Sequence, residues 1–320
     1  MKGAFVMRLA AIAIALFALD LFAADKPTLR IATTPYPLQA PLWAAKELGY
    51  LDEELSKVGA TYTWNVFENG PLINEAARAG DIDTAILGDQ PALIAKSVGL
   101  DIVAIANIAA GEKAMALVAP TDSPIKRFED IRGKKIAYGK GTYVQHLLVL
   151  LLEKHGVKSD EFEHINLGAN DIPIALENRQ IDGAVIWEHY ISLLTLSGKA
   201  RVIADGTGIK QGNIIAYARN DYAKKHPQVL AAYIRALDRG ARYVSDHPNE
   251  AAAALAPAYK LPLDVTTASL KRIDFRIKFT PRDLAEIADA ANYLLKEKII
   301  RKKVDTAAFI SVKYIDLAGI

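Results

Sequence analysis

Ile82-Asp83-Thr84-Ala85-Ile86-Leu87-Gly88-Asp89 and Ile181-Asp182-Gly183-Ala184-Val185-Ile186-Trp187-Glu188 are one phrase written twice, offset by 99 residues from position 82 to position 181. The apolar run in each copy lacks polar alternation, the mark of a strand covered on both faces. Each follows a helical segment, Leu72 to Ala79 in the first case and Ile174 to Asn178 in the second. Helix followed by buried strand closes a βαβ step, and the chain makes that step twice. Ligands of open α/β sheets bind beyond the carboxyl ends of the strands, where Asp89 and Glu188 fall. The repeat therefore predicts two α/β lobes with a cleft between them.

The 320 residues suffice for two domains of ordinary size. With 51% hydrophobic and 24% charged residues and a formal charge of +2, the chain has a globular composition. No basic stripe with interleaved aromatics points to nucleic acid. Lys2 and Arg8 precede an apolar run from Leu9 to Leu19 that is too short for a membrane anchor, and Ala23 and Ala24 offer a cleavage point. Residues 1–24 thus read as a secretory signal peptide, with Asp20 an unusual intrusion. Cleavage after Ala24 removes Lys2, Arg8 and Asp20 and lowers the charge to +1. The chain has no cysteine, which excludes disulfides, thiolate metal sites, cysteine nucleophiles and a lipid-modified cysteine. A cleaved leader without a lipid anchor fits a free periplasmic protein, and no second segment reaches membrane-spanning length.

Patterning places a strand at Thr28 to Thr34, a helix at Pro41 to Leu48 and a strand at Thr61 to Phe67. Asn69-Gly70-Pro71 starts the next helix, and after the first copy of the phrase a strand runs from Ile102 to Ile108. Met115 to Ala119 reads as a crossover strand. The second lobe restarts with the strand Lys135 to Tyr138, the helix Thr142 to His155 and a strand from His164 to Leu167. Arg201 to Ala204 and a second crossover strand, Ile214 to Ala218, follow the second copy. The tail is helical, from Pro227 to Tyr243, Pro248 to Tyr259 and Pro281 to Lys296, with no further β pattern, and should pack back on the first lobe. This gives lobe one as 25–113 with 217–320 and lobe two as 114–216. Connections near Ala110 to Ala114 and Gly212 to Ala216 form a two-strand hinge.

Gly139-Lys140-Gly141-Thr142-Tyr143-Val144 begins like a dinucleotide fingerprint, but valine stands where the third glycine belongs. What remains is a glycine turn delivering a helix N-terminus, which favours an anion; an ordinary strand-to-helix turn with Thr142 as N-cap reads equally from the residues. Asp89 before Gln90-Pro91 suits a helix N-cap as well as a ligand contact. Glu188 is a poorer cap and stands between the aromatics Trp187 and Tyr190, which favours ligand contact. The six histidines show no short metal-ligand spacing, His189 beside Glu188 being the one pair to consider. No G-x-S-x-G nucleophile elbow is present. Neither a metal nor a cofactor is expected.

Taken in order, a set of short stretches resembles the periplasmic solute-binding proteins of ABC importers for nitrate, taurine and aliphatic sulfonates. They are Thr33-Thr34-Pro35-Tyr36-Pro37, Ala45-Lys46-Glu47-Leu48-Gly49, Gly80-Asp81-Ile82-Asp83, Gly88-Asp89-Gln90-Pro91, Asp130-Ile131-Arg132-Gly133-Lys134-Lys135, Gly139-Lys140-Gly141-Thr142 and Val185-Ile186-Trp187-Glu188. The resemblance runs from about Leu29 to about Phe309. It implies a type II two-lobe binding-protein fold, each lobe a mostly parallel sheet flanked by helices, closing on a small anion. It also implies delivery to an importer's permease and, through it, its ATPase, by a monomer that performs no chemistry. The ligand contacts it implies are Tyr36, Gln39, Gly88, Asp89, Gln90, Gly141, Thr142, Tyr143, Trp187 and Glu188. Glu188 replaces the aspartate followed by proline common in the family, and Gln39 a small residue. An alkanesulfonate or taurine-like ligand is expected, with nitrate or a pyrimidine precursor as the alternative.

Overall fold

The computed structural model describes residues 26–320; the expected signal peptide lies outside the described residues. Strand β1 (Thr28–Thr33) runs through a 3₁₀ turn into helix α1 (Ala40–Glu47), followed by α2 (Tyr50–Ser56), β2 (Thr61–Val66), α3 (Gly70–Ala79) and β3 (Thr84–Gly88). Next come α4 (Asp89–Ser97), β4 (Ile102–Gly111), β5 (Met115–Pro120), β6 (Lys135–Tyr138), α5 (Tyr143–His155) and β7 (Glu163–Asn166). The second copy of the phrase lies in α6 (Ile172–Glu177), β8 (Gly183–Trp187) and α7 (Tyr190–Leu196), with β9 (Ala200–Asp205) and β10 (Gly212–Arg219) after it. The tail holds α8 (Asn220–Lys225), α9 (Pro227–Asp246), α10 (Pro248–Tyr259), α11 (Leu263–Leu270), β11 (Asp274–Phe275), α12 (Pro281–Lys296), α13 (Thr306–Phe309) and α14 (Lys313–Ala318).

Two sheets result, ordered β11-β4-β10-β3-β1-β2 and β7-β6-β8-β5-β9. The repeated strands occupy matching places: β3 lies parallel to β1 and antiparallel to β10, and β8 parallel to β6 and antiparallel to β5. Both sheets are therefore mixed rather than mostly parallel. The cause is the crossing of the chain, because β5 and β10 each enter from the other sheet and run against the strands already there.

The join expected near Gly212 to Ala216 falls earlier, in residues 206–211. Gly212 already pairs with Gly111 in the six-stranded sheet, and β10 continues unbroken to Arg219. Hydropathy alone identified a strand there without showing to which sheet it belongs. A short strand also went unread in the tail: Asp274 and Phe275 pair with Ala110 and Ala109 on the edge of β4. Two residues are too few for a detectable period.

The tail packs on the six-stranded sheet. Helix α9 buries Leu230, Tyr233, Ile234 and Leu237 and crosses α1 so closely that a Cβ on Gly240 would lie 2.0 Å from the Pro41 carbonyl oxygen. Only glycine permits that approach. Helix α11 packs on both α7 and the 3₁₀ turn at Pro37–Gln39, tying the tail to both sheets. No helix among the described residues is long and apolar enough to cross a membrane.

Candidate functional site

A cavity of about 580 Å³ opens between the two sheets at their strand ends. Tyr36, Leu38, Gln39, Asn69 and Gly88 line it from one side; Lys140, Thr142, Tyr143, Asn166, Asn170, Asp171 and Trp187 line it from the other. The starts of α3, α4, α5 and α6 all open onto it. Each helix start leaves amides without intrahelical acceptors and carries roughly half a positive charge.

The starts of α3, α4 and α5 differ in how they are satisfied, and the short α6, like α5, has no side-chain cap. Asn69 caps α3 by accepting from the Leu72 amide at 3.2 Å, and at α4 the Gln90 amide is taken by Asp89 Oδ1 at 2.7 Å. Helix α5 is left open. Thr142 occupies its N-cap with extended backbone, yet its hydroxyl donates to the Gly139 carbonyl at 2.7 Å instead of accepting from the helix. The preceding amides are spent, Lys140 N on Asn166 Oδ1 and Gly141 N on Gln145 Oε1. Within the helix, the Gln145 and His146 amides bond back to the Thr142 carbonyl, so those of Tyr143 and Val144 stand ahead of the first bonds. An anion at this floor would meet uncapped N–H groups in a partly dry setting.

Side chains around the floor are fixed in advance. Gln39 donates to the Ile86 carbonyl at 3.1 Å and to the Thr34 hydroxyl at 2.6 Å, and accepts from the Thr34 amide at 3.0 Å and from the Thr33 hydroxyl. Its amide is thus spent on holding the loop after β1. Tyr36 donates to the Glu68 carbonyl at 2.9 Å. The Tyr143 ring is wedged between two backbones, since a Cβ on Gly212 would meet it at 3.1 Å and one on Gly88 at 3.5 Å. Burial, and then the charges of Asp89 and Glu188, push its hydroxyl far above the usual range.

Of the residues expected at the ligand, Tyr36, Gln39, Gly88, Thr142, Tyr143 and Trp187 line the cavity. Asp89, Gln90, Gly141 and Glu188 lie behind that lining. Gly141 (φ +74°) makes the turn, and Gln90 Nε2 lies 3.3 Å from His146 Nδ1.

Each of the two acids faces a chain crossing. Asp89 is the first residue of α4, Gly88 being its cap, and is fully buried with Oδ2 unpartnered. Burial pushes its carboxyl up to about 6 against the opposing charge of Lys210, in the 206–211 crossing. Glu188 is fully buried beside the other crossing: its amide donates to the Ala114 carbonyl, and Oε2 accepts from Ser269 Oγ at 3.1 Å and the Ser192 amide at 3.3 Å. Arg272 Nε lies 2.6 Å from Oε1 as a charge contact, while its N–H groups aim at the Lys113 carbonyl. Burial raises the Glu188 carboxyl and Arg272 opposes it. Strand-end position gave the right neighbourhood, but each side chain turns to the crossing beneath it.

Sequence reasoning missed Asn69, Lys140, Asn166, Asn170 and Asp171 in the cavity wall. The signal was available in Asn166-Leu167-Gly168-Ala169-Asn170-Asp171, a turn-rich stretch between strand and helix. Burial pushes the His146 ring down to about 3 and His189 to about 4, so both are neutral. No group of three or more metal-ligating side chains occurs among the described residues.

Two lobes meeting at a pre-formed anion-favouring cavity define a solute-binding architecture. The model of the NMT1/THI5-like family matches residues 37–251, and the chain belongs to that family. A putative aliphatic sulfonates-binding protein of Escherichia coli is 29% identical over 248 residues, 76% of this chain and 77% of the relative. The taurine-binding periplasmic protein of the same organism is 29% identical over 195 residues, 59% of each chain. The crystal structure of the periplasmic aliphatic sulphonate binding protein from E. coli superposes with a TM-score of 0.81 at 26% identity, covering 90% of this chain and 92% of that one. A desulfurization enzyme shares the fold at a TM-score of 0.72 and 14% identity, covering 92% and 99%.

Proposed function

We propose that this protein is a periplasmic solute-binding protein that captures a small organic sulfonate and presents it to an ABC importer. The uncapped start of α5 carries the reading, because it offers a singly charged oxyanion free amides at the floor of a cavity that both sheets line. The relatives named for aliphatic sulfonates and taurine support the ligand class. Residues 1–24 supply export, and the mature protein acts as a monomer. Residues 25–111 with 212–320 form one lobe and 115–205 the other, joined by the two short crossings. A ligand touching both lobes favours the closed form by its differential affinity for it, and the closed form is what the permease meets.

Capture without chemistry is the reading for the cavity. Cysteine, the nucleophile of a desulfinase-type branch, is absent from the chain. Calorimetry with alkanesulfonates, taurine, nitrate and a hydroxymethylpyrimidine, followed by mass spectrometry of the recovered ligand, tests both points. A sulfonate should bind and return intact. Turnover, or binding of nitrate or pyrimidine in place of every sulfonate, overturns the proposal.

A further inference from the structure

We infer that the sulfonate this cavity prefers is carried on an aromatic ring: an arylsulfonate rather than taurine or a short alkanesulfonate. The inference rests on the sulfonate reading above and sharpens it.

Size is the first ground. The cavity of about 580 Å³ equals the liquid share of roughly nineteen waters at about 30 Å³ each. A two-carbon sulfonate leaves most of that space to solvent, and the apolar surface of Leu38, Leu87, Pro91 and Ile214 uncovered.

The position of the indole is the second. A Cβ on Gly139 would touch the six-membered ring of Trp187 at 3.8 Å, which sets that ring beside the turn opening α5. A group whose sulfonate meets the α5 amides therefore has its first carbon atoms next to the indole. Trp187 is held by a tilted contact with Tyr143 at 6.0 Å and an edge-on contact with Tyr190 at 6.3 Å, so little ordering remains to be done on binding. Tyr36 enters from the other sheet, its hydroxyl anchored on Glu68, and offers a second face.

The test is calorimetry of the mature protein with benzenesulfonate, ethanesulfonate, taurine and octanesulfonate. Benzenesulfonate should bind at least tenfold tighter than ethanesulfonate or taurine, and tighter than octanesulfonate. Trp187→Leu should weaken benzenesulfonate more than tenfold and ethanesulfonate less than threefold, with Trp187→Phe restoring most of the loss; a thermal melt confirms that both variants fold. Taurine or ethanesulfonate binding as tightly as benzenesulfonate overturns the aromatic preference and leaves the sulfonate reading standing. Octanesulfonate equal to benzenesulfonate also overturns it, showing a site that reads apolar area alone. If no sulfonate binds, the function proposed above fails, and this inference with it.

Discussion

Asp83 and Asp182, at the second position of the two copies, share one backbone role, Asp83 adding an ion pair with the Arg30 guanidinium. Each donates its own amide to the first β1 or β6 neighbour and accepts that neighbour's amide on its carboxylate. Arg30 N reaches Asp83 Oδ2 at 2.9 Å and Lys135 N reaches Asp182 Oδ2 at 2.7 Å, while Asp83 N and Asp182 N reach the Arg30 and Lys135 carbonyls at 2.8 Å. At the eighth position the copies part. Each keeps one oxygen without a hydrogen-bond partner, but Asp89 stands beside a Lys210 already paired with Glu286, whereas Glu188 has two hydrogen bonds on its other oxygen and the Arg272 charge against the free one. Position two is fixed by strand pairing, which both lobes share. Position eight faces a crossing, and the two crossings differ in sequence.

The sharpest way to break this comparison is to remove the better-satisfied acid. Glu188→Ala leaves Arg272 facing a hole and the Ser192 amide without its carboxylate acceptor, while the Ser269 hydroxyl keeps the Val265 carbonyl. Breaking a buried pair costs roughly 3 to 5 kcal/mol, and the part-exposed Arg272, still bonded to Lys113, sets the value near the lower end, about 3 kcal/mol by urea unfolding. Glu188→Gln keeps the two hydrogen bonds in reach and should cost about 1 kcal/mol. As a residue of the crossing, Glu188→Gln should change affinity for taurine and for ethanesulfonate by the same factor. A loss confined to taurine would return Glu188 to the ligand.

Asp89 should show itself through pH. Its carboxyl lies at about 6 in the folded protein against 3.8 ordinarily, so the native state holds a proton that the unfolded chain releases in that interval. Stability from this group is therefore flat below about pH 4 and declines as pH rises to about 6, by about 2 to 3 kcal/mol. Glu188 is shifted in the same sense and adds to the slope. Asp89→Asn should flatten the decline measured by denaturant melts at pH 4, 5, 6 and 7. An unchanged slope would mean that Lys210 compensates the buried charge fully.

The smallest expected effect compares the two walls of the Tyr143 slot. Gly212→Ala puts a Cβ 3.1 Å from the ring and should cost about 1 kcal/mol as the wedge shifts. Gly88→Ala, at 3.5 Å, is an ordinary contact and should cost less than half as much. Equal costs would show that the ring is seated as tightly against Gly88 as against Gly212.

Much of this was legible from residues alone. The strand Lys135 to Tyr138 and the helices Pro248 to Tyr259 and Pro281 to Lys296 fall where their patterns put them, because proline starts, glycine turns and apolar periodicity act within a few residues. Six of the ten expected contacts line the cavity for a similar reason: they sit at strand-to-helix turns, Gly88 and Trp187 at the ends of the repeated strands and the other four after β1 and β6. Asn166, Asn170 and Asp171 were passed over because a turn carrying no motif gives no sign of facing a cleft.

The sequence by itself determined two α/β halves, the strands that carry the repeated phrase, and the turn that opens α5 toward an anion, since all of these follow from local propensity and spacing. Only the tertiary structure decided that β10 enters the first sheet at Gly212, and that Thr142 turns its hydroxyl away and leaves α5 uncapped. It also decided that Asp89 and Glu188 look down at Lys210 and Arg272 instead of into the cavity. The strand and carboxylate outcomes depend on groups far along the chain, as Glu188 and Ser269 are at a separation of 81, and no local pattern encodes which of them a buried carboxylate will meet; the Thr142 hydroxyl instead chooses between two local partners, and takes the Gly139 carbonyl.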